Sequence, residues 1–143
     1  MQVRQISIFL ENKTGRLAEV TKILGRENIN IRALAIADTT DFGILRLIVN
    51  RPEEASRVLR QEGFMVSQTE VLAVAVPDRP GGLAGVLAVL SGAGVNIEYL
   101  YAFIEKSSAD ALVIFRVENC DAAIAALREH GIKVLPGEEV YAL

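Results

Sequence analysis

The chain has very few of the residues from which disulfides and metal cages are built. Its 143 residues include one cysteine, Cys120, and one histidine, His130. A single thiol can form neither an internal disulfide nor a cysteine-based metal cage. We therefore expect no metal site, no cofactor and a cytoplasmic location.

The chain also has no long hydrophobic run and no excess of basic charge. Its longest apolar stretch, Gly81–Val95, is interrupted by Ser91, Gly92 and Gly94 and falls short of the roughly 20 residues that a membrane span requires. The net charge is -3 and the pI about 5.2, whereas nucleic acids and anionic membranes attract a basic face. These properties predict a protein that binds neither nucleic acid nor a membrane.

No arrangement of catalytic residues stands out. The sequence has no Ser–His–Asp or Cys–His set, no phosphate-binding P-loop and no dinucleotide fingerprint. His130 precedes Gly131 at the predicted end of a helix, where a surface position is expected. We predict that the chain is not an enzyme. A small enzyme is kept as a third alternative, because the scaffold predicted below supports many functions.

The two halves of the chain repeat one another with a displacement of 66 residues, which becomes 68 toward the end of each copy. The matching segments are Asn12–Ala18 with Asp78–Ala84, Glu27–Ile31 with Ala93–Ile97, and Arg60–Gly63 with Arg128–Gly131. The two extra residues fit a polar turn, where Asp38–Asp41 faces the longer Glu105–Ala109. Surface turns accept such insertions. The repeat predicts two domains, residues 1–69 and 70–143.

Each half has the pattern of a βαββαβ unit. In the first half Ile6, Ile8 and Leu10 recur at every second position, which is the period of a strand. Leu17 and Val20 begin a helical spacing. Two β-rich segments, a second helix and a last strand follow. We predict an α+β fold of two ferredoxin-like units, each an antiparallel sheet with both helices on one face.

No linker separates the halves. The segment Phe64–Val76 contains neither glycine nor proline, and Val71–Val76 is continuously apolar, which is typical of a strand buried on both faces. This strand should therefore run directly from one unit into the next. Because Glu139–Leu143 is similar to Glu70–Val74, we also predict a C-terminal strand that returns to the sheet in which the chain begins.

The loop between the first strand and first helix of each unit carries groups that suit a zwitterion. Gly15 and Gly81 leave room for a ligand against the backbone, and the helix N-terminus that follows presents N–H groups to a carboxylate. Asn12 and Asp78 can accept hydrogen bonds from an ammonium group.

An asparagine also begins the second strand of each unit. Asn30 and Asn96 each have one acceptor and two donors, enough to bridge both ends of a zwitterion. A purely structural interpretation stays open for these residues and for the loop residues, because they also suit helix caps, turns and strand corners.

The two loops and the two asparagine strands, Asn12–Ala18 with Ile29–Ile31 and Asp78–Ala84 with Val95–Ile97, resemble the ACT domain family. The resemblance covers the whole chain, once per half. It implies that units pair side by side and that an amino acid binds at the interface between ACT units. The residues that the resemblance assigns to ligand binding are Asn12, Thr14, Gly15, Arg16, Leu17, Asn30, Ile31, Asp78, Pro80, Gly81, Gly82, Leu83, Asn96 and Ile97.

The first loop departs from the family pattern in two places. Thr14 replaces the usual proline, and Arg16 adds a cation that can meet a ligand carboxylate or lie in solvent. Leu10 and Val76 stand where serine-binding members often have a polar residue, which suggests a more apolar ligand or a site used differently.

Two hypotheses follow from the sequence. The first is a regulatory module that binds a small free amino acid, forms a homodimer and acts on a metabolic enzyme or regulator. The alternative is a structural module that dimerises or docks onto an enzyme without a small-molecule ligand.

Overall fold

The computed structural model describes residues 2–38, 42–104 and 109–143. The elements of the first half are β1 (Val3–Glu11), α1 (Arg16–Arg26), β2 (Ile31–Asp38), β3 (Phe42–Val49), α2 (Pro52–Gln61) and β4 (Met65–Pro77). Those that follow are α3 (Gly82–Gly92), β5 (Ile97–Ala102), β6 (Asp110–Val117), α4 (Cys120–Glu129), β7 (Val134–Leu135) and α5 (Gly137–Tyr141). The predicted insertion between the copies falls on residues 39–41 and 105–108, which lie outside the described residues.

The chain forms two compact units that are divided inside β4, between Thr69 and Glu70. The N-terminal unit comprises Arg4–Thr69 and Tyr141–Leu143, and the C-terminal unit comprises Glu70–Val140 together with Gln2 and Val3. The prediction that one uninterrupted strand leads from the first copy into the second is confirmed, because β4 is continuous over 13 residues.

The N-terminal unit has the antiparallel strand order β2-β3-β1-β4. In the register, Leu47 of β3 lies opposite both Ile6 of β1 and Leu34 of β2. One face of this sheet packs against α1 and α2, and the buried residues of that core include Ile6, Ile8, Leu10, Val20, Leu24, Leu45, Leu47, Val58 and Leu59. The alternation in β1 and the helical spacing in α1 therefore meet in one core.

The C-terminal unit repeats this arrangement with the order β7-β4-β6-β5. Phe115 of β6 lies opposite both Leu72 of β4 and Leu100 of β5. The core includes Leu72, Val74, Val76, Val86, Leu90, Phe115, Val117, Ala123 and Leu127. The predicted α+β fold of two ferredoxin-like units is confirmed. No helix in the described ranges has the length and apolar character of a membrane span.

The predicted C-terminal strand is wrong. β7 is two residues long, and the chain then forms the short helix α5. The carbonyl of Pro136 accepts the amides of Glu139 at 3.1 Å and Val140 at 3.2 Å, which closes a helical turn instead of an extended strand. Glutamates in the first turn of a helix are electrostatically favourable. The C-terminus does reach the start of β1, but through a side chain, because the Arg4 amide donates to the Tyr141 hydroxyl at 2.8 Å.

Candidate functional site

The loop between β1 and α1 is a tight bend that ends in a left-handed glycine. Gly15 has a φ of 89° and is the N-cap of α1, and the exposed Thr14 precedes it. The Lys13 amide donates to the Glu11 carbonyl at 2.8 Å, and the Arg16 amide donates to the Lys13 carbonyl at 3.3 Å. The backbone therefore reverses within four residues and starts the helix beside the end of the strand.

This bend leaves part of the helix N-terminus open. The Glu19 amide donates to the Gly15 carbonyl at 2.9 Å, so it is satisfied. Within the described part of the chain, the amides of Leu17 and Ala18 have no protein acceptor. The first amides of an α-helix carry partial positive charge, so these two groups can receive an anion.

The corresponding loop of the C-terminal unit has the same bend with different residues. Gly81 has a φ of 82°, the exposed Pro80 precedes it, and the Gly82 amide donates to the Arg79 carbonyl at 2.9 Å. A Cβ atom on Gly82 would lie only 1.9 Å from the Pro77 carbonyl oxygen. Glycine is therefore required at position 82 so that α3 can begin directly against the end of β4.

The candidate acid of this loop lies beside the bend. Asp78 is exposed, and its amide donates to the Ala109 carbonyl at 3.3 Å. Leu83, in the first turn of α3, is likewise more than a third exposed. The predicted loop residues of the C-terminal unit are thus close to one another in space.

Arg16 is held by carboxylates of its own unit. Its guanidinium nitrogens lie 3.1 Å from Glu11 Oε1 and 3.1 Å from Glu19 Oε2. Lys13 Nζ lies 2.8 Å from Glu11 Oε2. The hydrogen bond and charge of Lys13, and then the charge of Arg16, hold the pKa of Glu11 below its usual value of 4.5. Arg16 therefore does not present an unbalanced charge to a ligand.

This cluster predicts a measurable titration. We expect the Glu11 carboxyl to titrate below 4.5, so its interactions contribute to stability at neutral pH and are lost as the pH falls through the lowered pKa. In carboxyl NMR titrations, Lys13→Gln and Arg16→Gln should each raise the Glu11 pKa, and Lys13→Gln should raise it more. Lys22→Gln, an exposed charge change on α1, is the control. A Glu11 pKa that neither substitution changes would contradict the ion pairs.

A small cavity lies at this bend. It has a volume of about 220 Å³ and is lined by Leu10, Glu11, Asn12, Lys13, Arg16, Leu17, Ile36 and Gly43. Drug-sized ligands occupy roughly 300–1,000 Å³, so this volume suits a smaller molecule. Three of the lining residues, Asn12, Arg16 and Leu17, are among those that the sequence assigned to ligand binding.

Two other lining residues were not predicted from the sequence. Ile36 is on β2, opposite Leu45, and therefore on the helix side of the sheet next to the start of α1. Gly43 is on β3, opposite Leu10. Strand alternation could have placed Ile36 on the correct face, but its position beside the bend depends on the register of three strands.

The second-strand residues of the candidate site lie at the other end of each sheet. In the N-terminal unit Glu11 pairs with Phe42, whereas Ile31 pairs with Val49, seven residues further along β3. At about 3.3 Å per residue this separates Asn30 from the bend by roughly 23 Å. One unit therefore does not bring its own loop and its own asparagine together.

Asn30 begins its strand without using its side chain. The Asn30 amide donates to Asn50 Oδ1 at 2.9 Å, and the Asn50 amide donates to the Asn30 carbonyl at 3.1 Å. The side chain that holds this strand corner is thus that of Asn50, and the Asn30 side chain is exposed. In the C-terminal unit, Asn96 likewise accepts the Glu118 amide through its carbonyl at 3.1 Å, and the neighbouring Ile97 pairs with Val117.

A wider groove of about 350 Å³ lies on the other side of the Glu11–Arg16 pair. It is lined by Phe9, Glu11, Arg16, Phe42, Glu62, Gly63, Phe64 and Met65. Phe9 and Phe42 are in edge-to-face contact, with ring centroids 6.5 Å apart. The repeat places Ala75 and Asp110 at the positions of these two rings, so the aromatic pair is peculiar to the N-terminal unit.

The residues suited to other chemistry are separate from these cavities. His130 is exposed, and its Nδ1 lies 2.9 Å from the Ala126 carbonyl one turn earlier in the helix. Cys120 is half-buried at the start of α4, and burial raises the pKa of its thiol. In the ranges that the structure describes, no three histidine, cysteine or carboxylate side chains form a metal-binding group.

Two ferredoxin-like units in tandem, each with a glycine bend before its first helix, define a paired-domain architecture. The chain matches the family described as ACT domain pair over residues 1–141 and belongs to it. No curated protein matches the chain.

Solved structures have the same fold. Protein BT0572 from Bacteroides thetaiotaomicron is 46% identical, with a TM-score of 0.94 over 100% of this chain and 98% of that one. The ligand-free regulatory subunit of aspartate kinase from Thermus thermophilus is 19% identical, with a TM-score of 0.63 over 88% and 91%. The corresponding Thermus flavus subunit is 16% identical, with a TM-score of 0.61 over 88% and 90%.

Proposed function

We propose that the chain is a regulatory module that binds a small free amino acid at the interface between ACT units. The observation that carries the proposal is the cavity at the start of α1, which is lined both by charged groups of both signs and by apolar side chains. A free amino acid likewise combines a zwitterionic group with a side chain.

Within this cavity we assign the two poles of the zwitterion to different groups. The ligand carboxylate would accept hydrogen bonds from the amide of Leu17, which lines the cavity, and from the adjacent Ala18 amide at the helix N-terminus, where an anion is favoured. The ammonium would donate to the oxygens of Glu11 and Asn12, which line the same cavity. Glu11 suits this role because its carboxylate is anionic at neutral pH, and Lys13 and Arg16 lower its pKa further.

The proposed site needs two units if Asn30 or Asn96 takes part. Because a bend and the asparagine of its own unit are roughly 23 Å apart, one small ligand cannot contact both. We therefore propose a homodimer in which the asparagine of one ACT unit completes the site of another. The edge strands β2 and β5 support pairing, since each ends its sheet with backbone groups that a strand of another chain can pair with.

Ligand binding between units would favour one arrangement of the units over others, which is the physical basis of regulation. We propose that the signal passes to a metabolic enzyme or regulator in the cytoplasm, and that the chain itself is not an enzyme. The solved relatives named as regulatory subunits of aspartate kinase support this direction.

The exposed edge strands also favour a second candidate function. A module that dimerises or docks onto an enzyme through β2 or β5 needs no small ligand, and the pairing of Arg16 with Glu11 and Glu19 satisfies that cation without one. This candidate predicts a stable dimer and no response to amino acids.

A panel of the twenty amino acids, screened by chemical denaturation, tests the proposal. An amino acid at 100 times its Kd should raise the free energy of unfolding by about 2.7 kcal/mol. Asn30→Ala and Asn96→Ala should each be tested for weaker binding, with a loss of about tenfold expected where the asparagine contacts a charged ligand group.

Gln61→Ala is the control for these variants, because it removes an exposed amide on α2 outside the cavity. If no amino acid stabilises the protein while sedimentation shows a dimer, the structural alternative is favoured. Binding that neither asparagine variant changes would mean that the loop alone holds the ligand.

A further inference from the structure

We propose that the cavity beside α1 selects an amino acid with an aliphatic side chain, and that Leu17 and Ile36 are its specificity-determining residues. This inference rests on the proposed function and adds the ligand class. Leu17 is 39% exposed and Ile36 is 51% exposed, although both are large and apolar. They come from different elements and line the same cavity.

The apolar residues of the lining, Leu10, Leu17, Ile36 and Gly43, form what we call the apolar wall of the cavity. Leu10, which is buried, and Gly43 continue the lining without any side-chain hydrogen-bonding group. A hydroxyl or amide on the ligand side chain would lose water there and gain no partner, which costs free energy. An aliphatic side chain would instead cover surface of Leu17 and Ile36 that is otherwise in water.

The charges of the cavity also disfavour an acidic or basic ligand side chain. Glu11 is paired with Lys13 and Arg16, and Arg16 is paired with Glu19 as well. A charged side chain would have to displace one partner of an existing pair. The proposed site uses Glu11 and the first amides of α1 for the two ends of the zwitterion, while Lys13 and Arg16 stay beside carboxylates of the chain, so no unbalanced charge is left for a charged ligand side chain.

The repeat shows that this wall is specific to the N-terminal unit. With the displacement of 66 residues, Ala102 stands at the position of Ile36 and Gly82 at that of Arg16. Leu83 retains the position of Leu17. The C-terminal loop therefore has no counterpart of Arg16, and its unit has no large side chain at the position of Ile36, so we assign the aliphatic selectivity to the N-terminal unit alone.

Calorimetric titration with leucine, valine, alanine, serine, aspartate and lysine tests this selectivity on the full chain. Leucine or valine should bind most tightly, serine more weakly, and aspartate and lysine most weakly. Ile36→Ala, which introduces the residue of the other copy, should weaken leucine and valine binding about tenfold, since each methylene in a hydrophobic pocket contributes roughly that much or more. Alanine binding should change little.

Leu34→Ala is the matched control. Leu34 lies two residues away on the same strand and face, is 39% exposed, and does not line the cavity. It should leave all affinities unchanged. Tightest binding of serine, aspartate or lysine, or unchanged leucine affinity in Ile36→Ala, would overturn the selectivity while leaving amino-acid binding intact.

Two further outcomes separate the remaining possibilities. Equal loss of leucine affinity in Leu34→Ala and Ile36→Ala, together with a weakened dimer in sedimentation, would assign both side chains to an interface and overturn the specificity role of Ile36. If no amino acid binds at all, the proposed function fails and the selectivity fails with it.

Discussion

Gly82→Ala is expected to destabilise the protein by about 1–3 kcal/mol, the usual range for forcing extra volume into a close-packed position. The added Cβ would lie 1.9 Å from the Pro77 carbonyl oxygen and 3.0 Å from the carbonyl carbon. Both are backbone atoms, so no side-chain rotation can relieve the overlap. Either α3 or the end of β4 must move.

Gly85→Ala is the control for this substitution. Gly85 is in the same helix three residues later, and a Cβ there meets nothing within 4 Å. Alanine in an exposed helical position should stabilise the protein by roughly 0.5–1 kcal/mol relative to glycine. Urea denaturation followed by circular dichroism should thus give free-energy changes of opposite sign. Equal effects would show that α3 does not start against Pro77.

The contact between Gly82 and Pro77 goes with a difference in side chains between the two bends. In the N-terminal unit the strand ends at Glu11 and the helix begins with Arg16, and these two side chains form an ion pair. In the C-terminal unit Pro77 and Gly82 take those positions and pack backbone against backbone. The glycine bend is therefore common to both copies, whereas the charged cavity lining belongs to the first.

The fold could be predicted from the sequence because local periodicity and the repeat agree. Ile6, Ile8 and Leu10 recur with the period of a strand and reach the same core as the helical positions Val20 and Leu24. The αL positions at Gly63 and Gly131 end the second helices in both copies, as their sequence positions indicate. The two copies therefore predict the same unit independently.

The C-terminus could not be predicted from the repeat. The likeness of Glu139–Leu143 to a β4 segment outweighed the local signal of Pro136 and Gly137, which favour a turn and a helix start. The short helix α5 follows that local signal. At this end of the chain, the local turn residues determine the backbone conformation, although the repeat predicts a strand.

The candidate site could be predicted only in part from the sequence, for a different reason. Gly15 and Leu17 are neighbours along the chain, so a local motif identifies them together. The contribution of Ile36 and the separation of Asn30 from the bend depend on strand register, which no local motif encodes. Leu17 also begins an apolar helical spacing, yet it is partly exposed because it projects into the cavity rather than the core.

The largest loss of stability is expected from Phe115→Ala. Phe115 is fully buried between Leu72 and Leu100 on β6, an inner strand of the C-terminal sheet. Removing its ring deletes apolar contacts and leaves a cavity, which should lower the free energy of unfolding by about 3–5 kcal/mol. Leu47→Ala, at the equivalent position of the N-terminal sheet, should cost about 2–5 kcal/mol for the same reason.

The cross-strand partner of each buried residue supplies the matched control. Leu100 faces Phe115 and Leu34 faces Leu47, but both partners are 39% exposed on edge strands. Their alanine variants should cost less than about 1 kcal/mol, as expected for side chains outside the core. Urea unfolding at a protein concentration where the oligomeric state is unchanged would measure all four. If Leu100→Ala cost as much as Phe115→Ala, then β5 would be covered by a second copy of the chain. The Leu100 side chain would then be buried, and its removal would lower the free energy of unfolding as much as removal of a core side chain.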